Sequence, residues 1–182
     1  MVDSPPYPYE LGRTVHLHND RCVSVRAIRP EDEAGLRALF DRLSPATVYQ
    51  RFFRTWNRLP DDWFQHFANV DYARRLALVA QAYTIDGPRL IGVARYEPTD
   101  ADDVAEVAVV IEDAWQGQGL GHVLLHDLFA AAEARGIHRF QADVLSDNRR
   151  MLTLLTQVAR IESSTTELGV TELTFVPSRR AA

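Results

Sequence analysis

The stretch from Ala105 to Gly121 constrains this chain more than any other. The apolar, β-branched run Ala105-Glu106-Val107-Ala108-Val109-Val110-Ile111 leads into Gln116-Gly117-Gln118-Gly119-Leu120-Gly121, and helical spacing follows at once. A strand feeding a glycine-rich turn and a helix N-terminus presents unpaired backbone N–H groups and a positive dipole end, which together make an anion cradle. Glu106, the one carboxylate on that apolar strand, would be costly to bury without a purpose, so the segment predicts a phosphate-bearing ligand beside a base.

The flanks set the order of elements. Val23 to Ile28 reads as a strand, and Leu36, Leu39, Phe40 and Leu43 recur with helical spacing after Pro30-Glu31-Asp32. Ser44-Pro45 opens a second helix carrying Val48, Phe52 and Trp56, and Pro60-Asp61-Asp62 a third bearing Trp63, Phe64 and Phe67. Leu76 to Tyr83 and Leu90 to Tyr96 are strand-like and joined by Asp86-Gly87-Pro88, a hairpin to which the Glu106 strand adds a third antiparallel neighbour. Leu120, Leu124, Leu128 and Ala131 form one helical stripe that Gly136 ends. Phe140 to Leu145 is the next strand, Asn148 to Val158 the last helix, and Leu168 to Val176 supplies at least one closing strand. A meander followed by a crossover implies an α+β fold, an α/β sandwich whose mixed, mostly antiparallel central sheet is flanked by helices.

With 182 residues, 46% of them hydrophobic, the chain supports one domain with a sizeable core. That domain is assigned to residues 21–176, preceded by an extended arm over 1–20, rich in Pro and Tyr from Pro5 to Tyr9, and followed by a flexible tail over 177–182. A net charge of −5 argues against general affinity for nucleic acid. No run approaches the roughly 20 apolar residues of a membrane span, and the N-terminus lacks the pattern of a secretory signal. The single cysteine, Cys22, excludes an internal disulfide framework and fits the cytoplasm. It reads as a small buried hydrophobe.

Several phosphate-binding readings compete for the glycine turn. A P-loop needs Lys and then Ser or Thr after its last glycine, where this chain has His122-Val123. A dinucleotide fingerprint would use Gly117 and Gly119 but requires glycine at position 122 and the first strand of a parallel unit. A turn that merely connects strand to helix remains open.

The arrangement Gln116-x-x-Gly119-x-Gly121, after a strand and opening a helix, resembles the acetyl-coenzyme A motif of the GNAT family of N-acetyltransferases. Gly92-Val93-Ala94-Arg95-Tyr96 and Val144-Leu145-Ser146-Asp147-Asn148 match in register on either side. Together with Arg29-Pro30-Glu31-Asp32, Leu43-Ser44-Pro45 and Arg51-Phe52-Phe53, they are similar to the acyltransferase domain of bacterial Pat-type protein lysine acetyltransferases from Val23 to Val158. Similar proteins often carry a regulatory or synthetase-like domain, for which this length leaves no room. The resemblance implies a GNAT fold with acetyl-CoA as cosubstrate. Its pantetheine arm would pair with the backbone of Val109, Val110 and Ile111, and its pyrophosphate would lie on the amides of Gln116, Gly117, Gln118, Gly119, Leu120 and Gly121. Asn148 would hold the cofactor arm and Glu106 would be the general base. The implied acceptor is a protein lysine, with an acyl-CoA synthetase as one candidate target. A small amine, or an acyl-CoA-binding regulatory role without turnover, are the alternatives.

An ammonium cannot attack a thioester, so a proton must leave an amine of intrinsic pKa about 10.4. A partly desolvated Glu106 with a raised pKa would take it directly or through one water, while a backbone amide of the Val109–Ile111 strand stabilises the oxyanion. Two departures stand out: Leu155 occupies the position where many relatives have a tyrosine acid, and Ala159-Arg160 replaces their Gly-Phe. His122 and His126, with Asp127, have i, i+4 spacing but no further ligands in the pattern, so no metal is expected. His16 and His18 read as surface positions, and Arg51, Arg54 and Arg58 as a solvated face of a helix that buries aromatics in preference to contacts with an acidic partner or nucleic acid. Arg149 and Arg150 read equally as phosphate contacts or as a solvated helix end. The acids Glu97, Asp100, Asp102, Asp103, Glu112 and Asp113 either solvate loops or rim a cleft that attracts a cationic amine.

Overall fold

In the computed structural model, residues 6–178 are described, apart from positions 19, 57 and 102. The chain forms β1 (Arg13–His16), β2 (Cys22–Ala27), α1 (Glu33–Asp41), α2 (Pro45–Phe52), α3 (Asp61–Ala68), β3 (Leu76–Thr84), β4 (Gly87–Pro98), β5 (Val104–Ile111), α4 (Leu120–Glu133), β6 (Arg139–Leu145), α5 (Arg149–Val158), β7 (Ala159–Glu167) and β8 (Val170–Pro177). The strands make one sheet in the order β1-β2-β3-β4-β5-β6-β8-β7. Among the described residues only the β5–β6 pair is parallel, because α4 carries the chain back across the sheet between them. The fold is the expected α+β sandwich.

Two cores lie on opposite faces of the sheet. One face receives Leu120, Leu124, Leu125, Leu128 and Phe129 of α4 together with Leu155 of α5. The other is covered by α1–α3 through an aromatic-rich cluster that includes Phe40 and Phe64, with Phe52 and Trp56 packed against it. Strand alternation sends Val93 and Val110 to the second core and Ala94, Val107 and Val109 to the first. Residues Leu76–Ala80 of β3 are buried without alternation, as expected of a central strand covered on both faces. Ser44 caps α2 by accepting from the Thr47 amide, with Pro45 following it.

Three details depart from the sequence reading. The segment assigned to an extended arm instead contributes β1, paired with β2 from Arg13↔Val25 to His16↔Cys22. Val15 and Leu17 are buried in the core, and the Tyr7 hydroxyl donates to Ala27 O at 2.8 Å. The alternation Val15, Leu17 was the overlooked strand signal. Residues 1–5 of that arm and 179–182 of the tail lie outside the described residues. Cys22 is exposed rather than buried, because Val23 and Val25 take the inward positions of β2; its Sγ lies 3.2 Å from His16 Nδ1. The C-terminal strand is half of a long hairpin, β7 starting at Ala159 directly where α5 ends.

Candidate active site

The β5–β6 ladder covers only Val104–Glu106 against Arg139–Gln141. Both strands continue, to Ile111 and to Leu145, so beyond Glu106 the β5 edge faces a gap instead of a partner. That gap opens into a cleft of about 920 Å³ lined by β5 from Glu106 to Ile111, by Ala142–Val144 of β6, by the glycine turn, and by α2 and α5.

The glycine turn is shaped by backbone conformation. Gly117 and Gly119 have φ of +72° and +89°, which residues with a Cβ rarely adopt. Gly119 is the N-cap of α4, and a Cβ there would sit 3.1 Å from the His18 ring. A Cβ on Gly121 would approach Leu154 Cδ2 at 3.0 Å. Such close backbone packing, at a helix N-terminus whose first amides lack intrahelical partners, suits an extended phosphorylated ligand in a cleft of this size. Gln116 braces the turn: its Nε2 donates to Ile111 O (3.0 Å) and to Thr47 Oγ1 (3.2 Å), and its Oε1 accepts from Arg150 (2.9 Å). Asn148 caps α5 by accepting from the Met151 amide.

The α2 helix runs along the cleft beside β5. Asp113 fastens its start, accepting from the Ser44 amide at 2.9 Å, Ser44 Oγ at 2.6 Å and Thr47 Oγ1 at 2.8 Å. Burial pushes the Asp113 carboxyl up, but the bonds from Ser44 and Thr47 outweigh it and hold the carboxyl below the usual range. One turn on, Arg51 lines the cleft at the end where Glu106 sits.

A family model for the "Acetyltransferase (GNAT) family" matches residues 36–158. This chain belongs to the GNAT acetyltransferase family. It is 31% identical over 138 residues to "Acetyltransferase PA5475" of Pseudomonas aeruginosa, covering 76% of this chain and 74% of that protein. It is 28% identical over 118 residues to "Acetyltransferase Pat" of Mycolicibacterium smegmatis, spanning 65% of this chain but only 35% of the relative. Among solved structures, the GNAT domain of S. lividans PAT superposes with a TM-score of 0.83 at 32% identity, covering 93% of this chain and 99% of that one. At 18% identity, yncA from Salmonella typhimurium, solved with acetyl-CoA, shares the fold with a TM-score of 0.67, covering 88% of this chain and 96% of that one. Family membership makes the protein an acetyl-CoA-dependent N-acetyltransferase.

In this GNAT domain the cleft brings together Glu106, Val109, Val110, Ile111, Gln116, Gly117, Gly119, Gly121 and Asn148. Leu120 is instead buried in the core, and the Gln118 side chain donates to Ala114 O at 2.8 Å. Glu106 is exposed, contrary to the expected desolvation. It lies at the end of the β5–β6 ladder, where water reaches it. Arg149 and Arg150 both line the cleft. Among the described residues no group of three or more His, Cys, Asp or Glu has metal-binding geometry, and Asp127 pairs with Arg13 at 2.8 and 2.9 Å. No helix of the described residues is long and apolar enough to cross a membrane.

The sequence reading missed His18, Thr47, Gln50 and Arg51 as lining residues. His18 reaches the cleft because β1 belongs to the sheet and its amide donates to Gln118 O at 3.4 Å. Thr47 and Arg51 stand four apart on α2, a spacing that places both on one helix face. Arg51 is half-buried and not on a solvated face.

Proposed function

We propose that this enzyme transfers the acetyl group of acetyl-CoA to a protein lysine, with Glu106 as the general base. The observation that carries the reading is the early end of the β5–β6 ladder. It leaves β5 exposed between a carboxylate at one end and an anion cradle at the other, so a thioester lying along β5 would present its carbonyl to an amine at Glu106.

The backbone of Val109, Val110 and Ile111 pairs with the amide-bearing arm of the donor, and the amides from Gln116 to Gly121 receive its pyrophosphate. Asn148, with its oxygen engaged as the α5 cap, offers its NH2 group to the same arm. Glu106 accepts the proton of the incoming ammonium directly or through one water. The amine nitrogen then bonds to the thioester carbon, a β5 amide steadies the oxyanion, the C–S bond breaks to release the thiolate, and the nitrogen sheds its second proton to solvent while the thiolate takes one up. Leu155 is fully buried and supplies none. The motifs that resemble Pat-type protein lysine acetyltransferases support a lysine acceptor, and the single cysteine fits a cytoplasmic setting.

Thiol release from acetyl-CoA with lysine-bearing peptides tests the proposal. Glu106→Gln should lower kcat by roughly 10²–10⁴-fold while acetyl-CoA still binds. Tight coenzyme binding with no turnover on any lysine or amine would leave the protein an acyl-CoA binder and defeat the reading.

A further inference from the structure

We infer that the acceptor carries a carboxylate close to its reacting amine and that Arg51 receives it. The inference rests on the acetyl-transfer reading and on Glu106 as the amine's partner, and it narrows the class of acceptor.

Arg51 lines both the large cleft and a small apolar cavity of about 40 Å³ behind it, bounded by Phe40, Phe52, Ala108 and Val110. Its guanidinium carbon lies 4.9 Å from the centre of the Phe52 ring, a contact that orients the plane but consumes none of its five N–H donors. Among the described residues no carboxylate lies within ion-pair distance of Arg51. Two further cations of this sheet face are committed: Arg95 to Glu97 and Phe67 O, and Arg75 to Glu97 and Asn69 O. Burial lowers the proton affinity of Arg51, while Glu106 and Glu97 act against that. An arginine nevertheless stays protonated at neutral pH.

Glu106 likewise makes no ion pair among the described residues. The end of the cleft therefore presents one open carboxylate and one open guanidinium that sense each other's charge without forming a contact. A lone lysine side chain satisfies Glu106 and meets repulsion from Arg51. An amine with a carboxylate beside it satisfies both, because a charge-assisted bond to a carboxylate is stronger than one to a neutral acceptor. For a protein acceptor, the carboxylate is an Asp or Glu next to the modified lysine.

Two acceptor pairs test this, each pair differing only in the carboxylate. The first is a lysine peptide with an adjacent Asp against the same peptide with Asn; the second is a small amino acid against its amide. The expected result is a roughly tenfold or greater preference in kcat/KM for the carboxylate member, the size of one charge-assisted bond. In Arg51→Gln the ratio should fall to about one, and in Arg51→Lys it should be largely restored. Because the readout is a ratio, a loss of stability in either variant does not imitate it. Equal kcat/KM within both pairs, or a preference that survives Arg51→Gln, overturns the inference, as does absence of turnover in both pairs. Turnover of the small pair alone, with the preference intact, supports the role of Arg51 and refutes the lysine reading instead.

Discussion

Glu97 of β4 and Glu106 of β5 are direct cross-strand partners, so both side chains leave the same face of the sheet, yet only Glu97 is neutralised. Its carboxylate accepts from Arg75 at 2.7 Å and from Arg95 at 3.1 Å. Like charges placed opposite each other destabilise a sheet, and the two arginines offset that cost at Glu97. Among the described residues Glu106 has no ion-pair partner, and it opens to the cleft. Arg95 is 5% exposed, and its guanidinium, pushed down to about 9 by burial and pulled back by Glu97, remains charged at neutral pH. The opposed glutamates thus differ: one neutralises a buried cation, and the other stands in the cleft as the proposed base.

Glu97→Gln should accordingly act on stability rather than directly on the chemistry. It strands the buried Arg95 cation and removes one partner of Arg75, at a cost of about 2 kcal/mol for a pair that is not wholly buried. Urea unfolding followed by fluorescence measures this. Glu106→Gln should leave the urea midpoint near that of the wild type, since Glu106 is exposed and makes no ion pair among the described residues.

Gly119 and Gly136 separate backbone strain from ligand binding. Both have positive φ, +89° and +81°, but a Cβ at Gly136 meets nothing within 4 Å, whereas at Gly119 it meets the His18 ring at 3.1 Å. Each change to alanine should cost about 1 kcal/mol or more through the left-handed backbone. Only Gly119→Ala, which lies in the cleft, should also weaken acetyl-CoA binding, by tenfold or more, as read by calorimetric titration. Equal coenzyme affinity in the two variants would show that the turn is not the phosphate site.

The cleft was legible in the sequence where chemistry and backbone conformation share the same residues. Gly117, Gly119 and Gly121 announce the turn because their φ values or close contacts require glycine, and the apolar run before them announces β5. Arg51 and His18 were not legible, because their importance depends on which strands and helices lie beside β5. An arginine among aromatics on a short helix looks the same facing water or facing a cleft. Likewise Val15 and Leu17 alternate over too few residues to outweigh the prolines before them, so β1 passed for part of an arm.

The edge strand makes a testable difference. Removing residues 1–17 would trim a disposable arm if the segment were extended in solvent. Here it takes away Val15 and Leu17, each 5% exposed, and uncovers part of the β2 side of the core. It also removes the Arg13 partner of Asp127. Burial of the two side chains alone is worth about 3 kcal/mol or more, so the shortened chain should melt well below the full one by circular dichroism. An unchanged melting temperature would restore the arm.

Asp113 supplies a pH-dependent latch on α2. Its carboxyl is held below the usual range by the bonds from Ser44 and Thr47, which prevail over burial, so the folded state favours the ionised form. The stabilisation is fully present above the unfolded value of about 3.9 and is lost as pH falls through the lower folded value. Asp113→Asn should therefore lower the melting temperature at pH 7, and the gap to the wild type should begin to narrow below about pH 4 and close once the pH has fallen through the lower folded value, where the wild-type carboxyl is also neutralised. Because α2 carries Thr47 and Arg51 into the cleft, the same variant should raise KM for the acceptor at pH 7 more than it lowers kcat. A gap in melting temperature that stays constant from pH 7 to pH 3 would mean that shape, not charge, holds the helix.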